Sequence, residues 1–517
     1  MFAMENLYCY LIAFLLSIVL IIKLGFTRQQ NLPPSPFALP IIGHLYLIKK
    51  PGPFYQALGS LSSKYGPIMY LRLGARPVLV VSSASAVEDC FTKNDIIFAN
   101  RPKSMAGDHF TYNYTSYAWA DYGHIWRTLR RFTVIEIFSS NNLKKSFPIL
   151  QDEVHCLLHQ LFTHSASGNQ KVELKPLFSI LSTNFMMRIV AGKRGTEEVA
   201  GAANMEIAKK FLLEFKEIFF PSMITNICDL FPILRLIGYS KGIEKSYVRL
   251  QKMRDEYMQN LIDDIRIRLK KTSSSFETAS MRNKSLIETL LSLQESEPEF
   301  YSDDVLKSII VIMFIAGVET TAVALEWAMS LLLNNPDVLQ KVRAEIDCNV
   351  ANGRMLNDVD LVNLPYLCCV IKETLRLYPP APLLLPHFSS ENCIVGGYHI
   401  PRGTTIMVNA WAMHRDSKVW EEPNKFKPER FEGIHSEREG FKHIPFGMGR
   451  RACPGAAMAI RTISFALGSL IQCFEWEKIG AEVDMTASYG LSLSKTVPLV
   501  AMCSPRQNMI GMLNRSS

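Results

Sequence analysis

The sequence predicts one large, mainly α-helical domain with a small β portion, placed behind an N-terminal transmembrane helix. Three observations lead to this expectation. An uncharged apolar run fills residues 7–22, and apolar residues recur at three- and four-residue spacing over most of residues 85–375. β-Branched residues cluster beside turn signals in residues 68–81 and 383–409. A hydrophobic fraction of 48% can supply the core of such a domain.

The N-terminal run is the candidate membrane anchor. With its ends it approaches the roughly 20 residues that span a bilayer. Glu5 precedes it and Lys23 and Arg28 follow it, whereas a cleaved signal peptide has basic residues before the run. The positive-inside rule places the chain after Lys23 in the cytosol. We therefore expect residues 1–27 to form an uncleaved, single-pass anchor.

The regions after the anchor differ in composition. Residues 28–45 are rich in proline, which favours an extended, stiff hinge. We expect residues 46–517 to form the single large domain. Within it, the polar stretch between Lys271 and Lys284 has no periodicity and is the clearest flexible linker.

Charge and cysteine content exclude some classes of protein. The formal charge of +8 is mild for this length and no long Lys/Arg run occurs, so nucleic acid is not an expected partner. A basic face for an acidic protein or for lipid is the better expectation. The 11 cysteines are odd in number and irregularly spaced, which argues against a disulfide framework.

One cysteine lies in an unusual loop, "PFGMGRRACPG" at residues 445–455. The glycines allow a close backbone approach, and an apolar helix should begin just after Cys453. The helix N-terminus and the flanking arginines both favour a thiolate, the form that binds metal or acts as a nucleophile. Zinc would need a further ligand, for which His443 is the candidate at short spacing. From the residues alone, a zinc ligand, a nucleophile and a buried structural thiol all remain open.

The whole loop narrows these alternatives. Phe446, Gly449, Arg451, Cys453 and Gly455 match the Phe-x-x-Gly-x-Arg-x-Cys-x-Gly signature, so the chain resembles the cytochrome P-450 superfamily of haem-thiolate monooxygenases. The resemblance implies the cytochrome P-450 fold and haem b as cofactor. It also implies that Cys453 is the axial ligand of the haem iron, with Phe446, Arg451 and Gly455 binding the cofactor around it.

A second motif lies in the apolar stretch 309–327, which is either another membrane span or a helix buried in a large core. Glu319 in its middle argues against lipid, because an acid within a span is costly. The stretch resembles the family's Ala/Gly-Gly-x-Asp/Glu-Thr-Thr/Ser. That resemblance implies that Gly317 leaves room for dioxygen and that Thr320, with Glu319, delivers protons to it. The alternative for Thr320 is a hydroxyl that bonds back to the helix carbonyl.

Two further motifs concern structural support and the haem propionates. Glu373 and Arg376 match the family's Glu-x-x-Arg, and Arg430 resembles its third partner. The resemblance therefore implies a buried triad without a chemical role, whereas the pair alone would be a surface contact worth ~0.2–0.5 kcal/mol.

The resemblance also implies which residues contact the haem propionates, namely Trp126, Arg130, Arg451 and His387. For His387 the alternative is a structural role, which is the more common one for a lone histidine.

Partners and location follow from the same resemblance. No Gly-x-Gly-x-x-Gly loop is evident, so electrons should come from NADPH through a separate NADPH–cytochrome P-450 reductase, docked near Arg450 and Arg451. Cytochrome b5, O2 and membrane lipid are the other expected partners. The expected location is the endoplasmic-reticulum membrane, with the catalytic domain in the cytosol.

The residues 383–387, 449–451 and 470–476 look like the plant eighty-one family, which includes isoflavone hydroxylases and lignan- and xanthone-modifying enzymes. The expected substrate is a small aromatic plant metabolite that is hydroxylated or oxidatively coupled. The family places the pocket in segments 110–120, 214–222, 313–321, 383–387 and 490–493. Two other functions stay open: an isomerase or dehydratase of the same fold that needs no reductase, and a non-catalytic haem-binding membrane protein.

Overall fold

The computed structural model describes most of the chain. The described residues are 8, 10, 12–18, 31–47, 52–165, 168–195, 205–219, 226–273, 284–350, 353–433, 440–490 and 492–515. Most of the predicted anchor and most of the predicted linker between Lys271 and Lys284 lie outside these residues. The described part of the anchor, at residues 8, 10 and 12–18, is helical, and residues 8, 10 and 12–17 are exposed.

Helices dominate the described chain, in agreement with the predicted class. In chain order they are α1 (Phe54–Tyr65), α2 (Ala84–Phe91), α3 (Met105–Phe110), α4 (His124–Phe132), α5 (Ser140–Ser165), α6 (Leu174–Ala191), α7 (Met205–Phe219), α8 (Ile227–Leu230), α9 (Ile233–Leu236), α10 (Lys241–Ser273), α11 (Leu286–Ser296), α12 (Asp303–Gly317), α13 (Glu319–Asn334), α14 (Pro336–Asn349), α15 (Pro365–Leu377), α16 (Ala410–Met413), α17 (Ala456–Cys473) and α18 (Ile510–Arg515). Short 3₁₀ turns occupy Leu45–Leu47, Asp358–Asn363, Pro428–Phe431, Gly440–Lys442, Gly449–Arg451 and Gln507–Met509, and a π-helical turn, Thr133–Ile137, follows α4.

The strands form three small sheets. They are β1 (Ile68–Leu73), β2 (Arg76–Val81), β3 (Gln170–Glu173), β4 (His387–Phe388), β5 (Cys393–Val395), β6 (Tyr398–Ile400), β7 (Thr405–Val408), β8 (Phe474–Lys478) and β9 (Val500–Pro505). The largest sheet has the order β1-β2-β7-β4, with β2 and β7 parallel from the pair Val78 and Thr405 to the pair Val81 and Val408. The others have the orders β3-β9-β8 and β5-β6. The strands predicted in both β-rich segments are confirmed.

Residues 31–45 of the predicted hinge are docked on the domain. Tyr70 of β1 donates its backbone N–H to the carbonyl of Pro34 at 3.0 Å, and Gly43 pairs with Leu73 across an isolated bridge. His44 within this segment is buried. The hinge therefore continues the edge of the largest sheet.

The predicted helix at residues 309–327 is a core helix with a break in it. Ser302 caps α12 by accepting the N–H of Val305, and Asp303 and Asp304 complement the helix dipole in the first turn. The helix is interrupted at Val318, between α12 and α13. The most apolar window of 303–334 is 67% buried within the protein, so the expectation of a buried core helix is confirmed over that of a membrane span.

Helix α13 lies at the centre of the packing. It contacts α6 and also α17, the helix that begins just after Cys453. Its Trp327 is fully buried, stacks on Tyr378 with ring centroids 3.8 Å apart, and donates its indole N–H to the Leu493 carbonyl at 2.5 Å. The distal motif and the cysteine loop thus share one core.

Candidate active site

The cysteine loop is a tight turn that ends on a helix. Backbone N–H of Cys453 donates to the Phe446 carbonyl at 2.9 Å, which closes the loop around the 3₁₀ turn Gly449–Arg451. The N–H of Gly455 is hydrogen-bonded to the thiol sulfur, and α17 begins at the next residue. The expected position of Cys453 at a helix N-terminus is confirmed.

Protein surrounds the thiol on most sides. Cys453 is accessible to solvent, yet desolvation by the surrounding protein raises its pKa, while the Gly455 N–H and the Arg130 charge oppose that rise. A free nucleophilic cysteine would need a lowered pKa, so this environment favours a thiol that is deprotonated by binding a metal ion. In the described residues no group of three His, Cys, Asp or Glu side chains is placed to hold a metal, so zinc with His443 has no support there.

Gly449 is required by backbone geometry. Its φ of +69° lies in the left-handed region, and a Cβ at this position would collide with the Asp95 carboxylate. Asp95 in turn accepts the backbone N–H of Arg450 at 3.1 Å and pairs with its guanidinium at 3.2 Å. Arg450 is therefore fixed on the outer side of the loop, with its side chain partly exposed.

Arg451 points inward and, within the described parts of the chain, makes no ion pair. Its guanidinium donates to the backbone carbonyls of Ala99 at 2.7 Å, of Tyr117 at 2.8 Å and of Ala120. It also lies 4.9 Å from the ring centroid of Trp126. Arg451 is therefore directed into the protein, and Arg450 is the one of the two whose side chain is exposed; docking of a reductase near them stays a prediction.

Arg130 and Trp126 come from α4, four residues apart and on its inner face. Trp126 is buried, and Arg130 donates to the carbonyl of Ala452, next to the cysteine, at 2.7 Å. Desolvation lowers the pKa of Arg130, while Cys453 and Tyr117 act against that shift. The two residues named from the Trp-x-x-x-Arg motif thus lie beside the loop.

A further arginine, Arg101, escaped the sequence reasoning. It is 4% exposed, and its guanidinium donates to the carbonyls of Ala118 at 3.2 Å, Leu385 at 3.0 Å and Pro386 at 2.7 Å. Desolvation lowers its pKa, and the neighbouring charge of Arg451 lowers it further. Arginine is mostly exposed in proteins, so nothing in the local sequence marked this one as buried.

His387 lies in the same region as a neutral imidazole. Burial and the charge of Arg101 hold its pKa well below the ordinary value. Its Nδ1 lies 2.9 Å from the Phe98 carbonyl, which makes Nδ1 the protonated nitrogen and leaves Nε2 as an acceptor. In this state His387 has no second N–H for an anion.

The positive charges of the arginines near the cysteine loop are not balanced by nearby carboxylates among the described residues. Within the described residues, Arg101, Arg130 and Arg451 pair with no carboxylate; only the more distant Asp121 raises the pKa of Arg451 against the effect of burial. Buried arginines normally have acidic partners. A bound group with two carboxylates would supply them, so the residues fit the two propionates of haem.

On the distal motif, the two alcohols bond back to their own helix. Thr320 donates to the Ala316 carbonyl at 2.6 Å, and Thr321 donates to the Gly317 carbonyl at 3.1 Å. Ala316 is exposed, although the four residues from Val311 to Phe314 are buried. The helix thus presents a small accessible surface at Ala316 beside the break at Val318.

Gly317 faces the neighbouring helix. A Cβ at this position would lie 2.7 Å from the sulfur of Met186 on α6, so the glycine permits close packing of α12 on α6. The expected role of Gly317 in leaving room for dioxygen stays a prediction beside this packing role. Ala316 is the accessible small residue at this point. Glu319 is turned toward the C-terminal region, where Ser492 donates its hydroxyl to the carboxylate at 3.1 Å.

In the triad behind the loop, the side chains of Glu373 and Arg376 are fully buried and that of Arg430 is 11% exposed. Arg376 donates to both Glu373 oxygens at 2.6 and 2.8 Å, and Arg430 donates to Glu373 at 3.0 Å. The backbone N–H of Lys427 adds a bond of 2.9 Å to the same carboxylate. The predicted proximity of the three residues is confirmed.

His414 connects this triad to the cysteine loop. Arg376 donates to the His414 carbonyl at 2.5 Å, and the ring Nε2 of His414 accepts the backbone N–H of Ile444 at 3.0 Å. Ile444 in turn accepts the N–H of Gly447. Sequence reasoning missed His414, because its partners lie some thirty or more residues away in the chain.

Comparison with known proteins agrees with this geometry. The cytochrome P450 family model matches residues 33–499. The chain is 46% identical over 513 residues to "Cytochrome P450 81Q32" of Catharanthus roseus, with 99% of each chain covered. It is 45% identical to the (+)-piperitol/(+)-sesamin synthase CYP81Q2 of Sesamum radiatum, covering 94% of this chain and 93% of the relative.

The chain is a cytochrome P450. A solved zebra fish cytochrome P450 with abiraterone has the same fold, with a TM-score of 0.71, 26% identity and coverage of 88% of this chain and 100% of that one. As a P450 it is an oxidoreductase, a monooxygenase with a cysteine-ligated haem, and it takes electrons from a reductase partner to use O2 on a small-molecule substrate. The expected family, fold, enzyme class and cofactor are thereby confirmed.

The triad of this P450 gives a first prediction. Glu373→Gln removes the charge that compensates two arginines, one of them fully buried, and breaking a buried pair costs about 3–5 kcal/mol. We expect a large fall in the midpoint of thermal unfolding and a loss of haem content after purification.

Lys341→Gln is the matched control, because it breaks an exposed pair with Glu429 at 2.6 Å. Its unfolding midpoint should stay near that of the wild type. A Glu373→Gln protein as stable as this control would contradict the structural role of the triad.

Proposed function

We propose that this P450 hydroxylates or oxidatively couples a flat aromatic plant metabolite of the flavonoid, isoflavonoid, lignan or xanthone type. Relatives named for such chemistry support the proposal. They include the sesamin synthase of Sesamum radiatum and an isoflavone 3'-hydroxylase of Medicago truncatula, 41% identical over 496 residues with 95% of this chain and 96% of the relative covered. The observation that carries the chemistry is the position of Cys453 just before α17, with the Gly455 N–H bonded to its sulfur.

An aromatic lining supports this class of substrate. Phe219 is fully buried, with ring centroids 4.3 Å from Phe215 and 5.1 Å from Phe314. Leu385 remains 46% exposed between α15 and β4. Rings and branched aliphatic chains favour a flat apolar ligand. Two other expected lining residues, Phe220 and Leu491, lie outside the described residues.

Each residue around the haem then has a definite task. Cys453 ligates the iron, while Phe446 and Gly455 shape the loop that places it. Arg101, Arg130 and Arg451 hold the propionates, and Trp126 lies against the Arg451 guanidinium. His387 would donate to a propionate through Nε2 in its protonated state, which a neighbouring carboxylate favours. When bound, the haem activates dioxygen, and the thiolate ligand favours O–O cleavage.

On the other side of the site, Thr320 and Glu319 move protons. The Thr320 hydroxyl donates to Ala316 and keeps lone pairs that can accept a bond from water. Glu319, oriented by Ser492, is the acid that supplies this water with protons. Gly317 supports the geometry by packing against Met186.

Ligation by Cys453 can be tested without a substrate. Cys453→Ser replaces the thiolate by a hydroxyl, so the reduced CO complex should lose the spectrum of thiolate ligation and monooxygenase activity should disappear. Cys369→Ser is the control, since its buried thiol on α15 has its pKa raised to about 11 by desolvation. An unchanged CO spectrum in the Cys453→Ser protein would show that Cys453 does not ligate the iron.

The substrate class is tested by reconstituting the full-length protein with a plant reductase and NADPH. Flavonoids, isoflavonoids, lignans and xanthones are screened by product mass, and NADPH dependence excludes the reductase-free isomerase. Turnover of none of the four classes would reject the proposed substrate class.

With a substrate found, Thr320→Ala should lower the product formed per NADPH and increase peroxide, because general acid–base groups contribute about 10²–10⁴-fold. Unchanged coupling would reject proton delivery by Thr320.

The proposed location is the endoplasmic-reticulum membrane, with residues 1–27 as a single-pass anchor, 28–45 as the hinge and 46–517 as the cytosolic catalytic domain. An apolar surface near the hinge supports contact with lipid. Leu236 is 86% exposed and Phe37 77%, and their segments meet at one turn, where Gly74 N–H bonds to Ile42 and Ala75 N–H bonds to Leu230.

NADPH–cytochrome P450 reductase and cytochrome b5 are the proposed electron donors. The face of α4 opposite Trp126 exposes Arg127 and Arg131, and Lys144 and Lys145 of α5 are exposed in the same region of the chain. Together with Arg450 they offer a basic surface to an acidic partner.

Deleting residues 1–27 tests the anchor. The truncated protein should move from the membrane pellet toward the soluble fraction after high-salt extraction, with part still bound through the apolar surface. Adding Leu236→Ser and Ile237→Ser should release that remainder, since each change removes an exposed apolar side chain. A truncated protein that pellets as completely as the full chain would contradict the anchor.

A further inference from the structure

A second cavity, of about 370 Å³, lies between α6, α7 and α13, away from the cysteine loop. Its mouth carries the exposed Lys209 and Lys216, and its inner wall includes Glu319 and Glu326. A site for one water needs only about 10–15 Å³. The cavity can therefore hold a chain of waters that reaches from the surface to Glu319.

Glu326 is a buried acid with half of its carboxylate unused. It is 1% exposed; Oε1 accepts the backbone N–H of Leu499 at 3.0 Å, and Oε2 has no partner in the described residues. A buried carboxylate oxygen without a partner is costly and is rarely retained for stability alone. The established chemistry of the site does not use this group.

The helix places Glu326 in line with Glu319. Seven residues correspond to two turns, so both side chains lie on one face of α13, separated by about 10 Å along the axis. Both border the same cavity. Two or three waters bridge such a distance.

We propose that Glu326 is a proton-relay residue that passes protons from the cavity between α6, α7 and α13 to Glu319 and thence to Thr320. The monooxygenase reaction consumes two protons and two electrons with O2 and the substrate, and yields the hydroxylated product and water. Neutral Glu326 releases its proton to the waters that lead to Glu319 and becomes ionised. It is then reprotonated by water at the mouth of the cavity. The proposal rests on the proposed roles of Glu319 and Thr320.

The charges around Glu326 set its titration. Desolvation raises the pKa of its carboxyl, and Lys175 and Lys495 oppose that rise. A raised pKa brings the group closer to neutral pH, where a relay exchanges protons most readily. The charged groups that border the cavity or act on Glu326 are Glu173, Lys175, Lys209, Lys216, Glu319 and Lys495.

The test is Glu326→Gln, which keeps the shape and the oxygen that accepts the Leu499 N–H but cannot release a proton. With reductase, NADPH and a substrate, product formed per NADPH should fall several-fold, with more peroxide and a larger solvent isotope effect. The pH dependence of this coupling should lose the inflection that the wild type shows. Glu217→Gln, an exposed acid on α7 that does not line the cavity, should couple as the wild type does.

A second readout needs no turnover. In the wild type, the stability gained from a neutral Glu326 is complete below the ordinary glutamate pKa and is lost as pH rises through the raised pKa. The unfolding midpoint of the wild type should therefore fall relative to Glu326→Gln over that range. A midpoint difference that does not change with pH would show that Glu326 does not titrate there and would overturn the relay.

The outcomes separate this proposal from the proposed function. If Thr320→Ala uncouples the enzyme while Glu326→Gln retains wild-type coupling and pH profile, only the relay fails. If neither variant uncouples it, proton delivery through Thr320 fails together with the relay. If Glu326→Asp restores coupling that Glu326→Gln has lost, a titratable carboxyl at this position is required.

Discussion

The proximal side of the site depends on one buried carboxylate. Glu373 accepts bonds from Arg376, Arg430 and the backbone of Lys427 at zero side-chain exposure. Two arginine charges face one carboxylate charge, and the remaining guanidinium N–H groups donate to backbone carbonyls of the segment that precedes the cysteine loop. Because each of these carbonyls is held by a charged donor, the segment has few alternative conformations. His414 passes this constraint to Ile444, at the start of the loop that carries Cys453.

Electrostatics divide the rest of the site into two unlike halves. Among the described residues, the arginines around the cysteine loop have no carboxylate partner, whereas Glu326 on α13 is a buried acid with one oxygen that accepts no hydrogen bond. Each arrangement costs desolvation energy that the described protein groups recover only in part. The cations suit an anionic cofactor that stays bound. The acid suits a proton that arrives and leaves in each cycle.

Sequence motifs predicted those features of the site that depend on residues close together in the chain. The cysteine, the glycines of its loop and the helix that begins after it could be assigned, because glycine content and a helix start are visible in adjacent residues. The triad also emerged, since its members recur in recognisable motifs. The break at Val318 was not foreseen, because the apolar pattern of residues 309–327 is continuous across it. Gly317 was interpreted from its motif alone, whereas its environment is set by Met186, 131 positions earlier in the sequence.

The residues that sequence reasoning missed share one property, which is that their meaning comes from distant partners. Arg101 is recognisable only once Leu385 and Pro386 fold over it, and Glu326 only once α6 and α7 enclose the cavity beside it. A charged residue in a helix or a loop is usually solvated, so its sequence context does not show that it is buried. The same reasoning bears on substrate choice. The proximal half is fixed by charge, whereas Phe215, Phe219 and Phe314 pack on one another through ring contacts, which apolar substitutions can repack at lower cost. Where these rings line the proposed pocket, substitutions among them can change the substrate without disturbing the charged half.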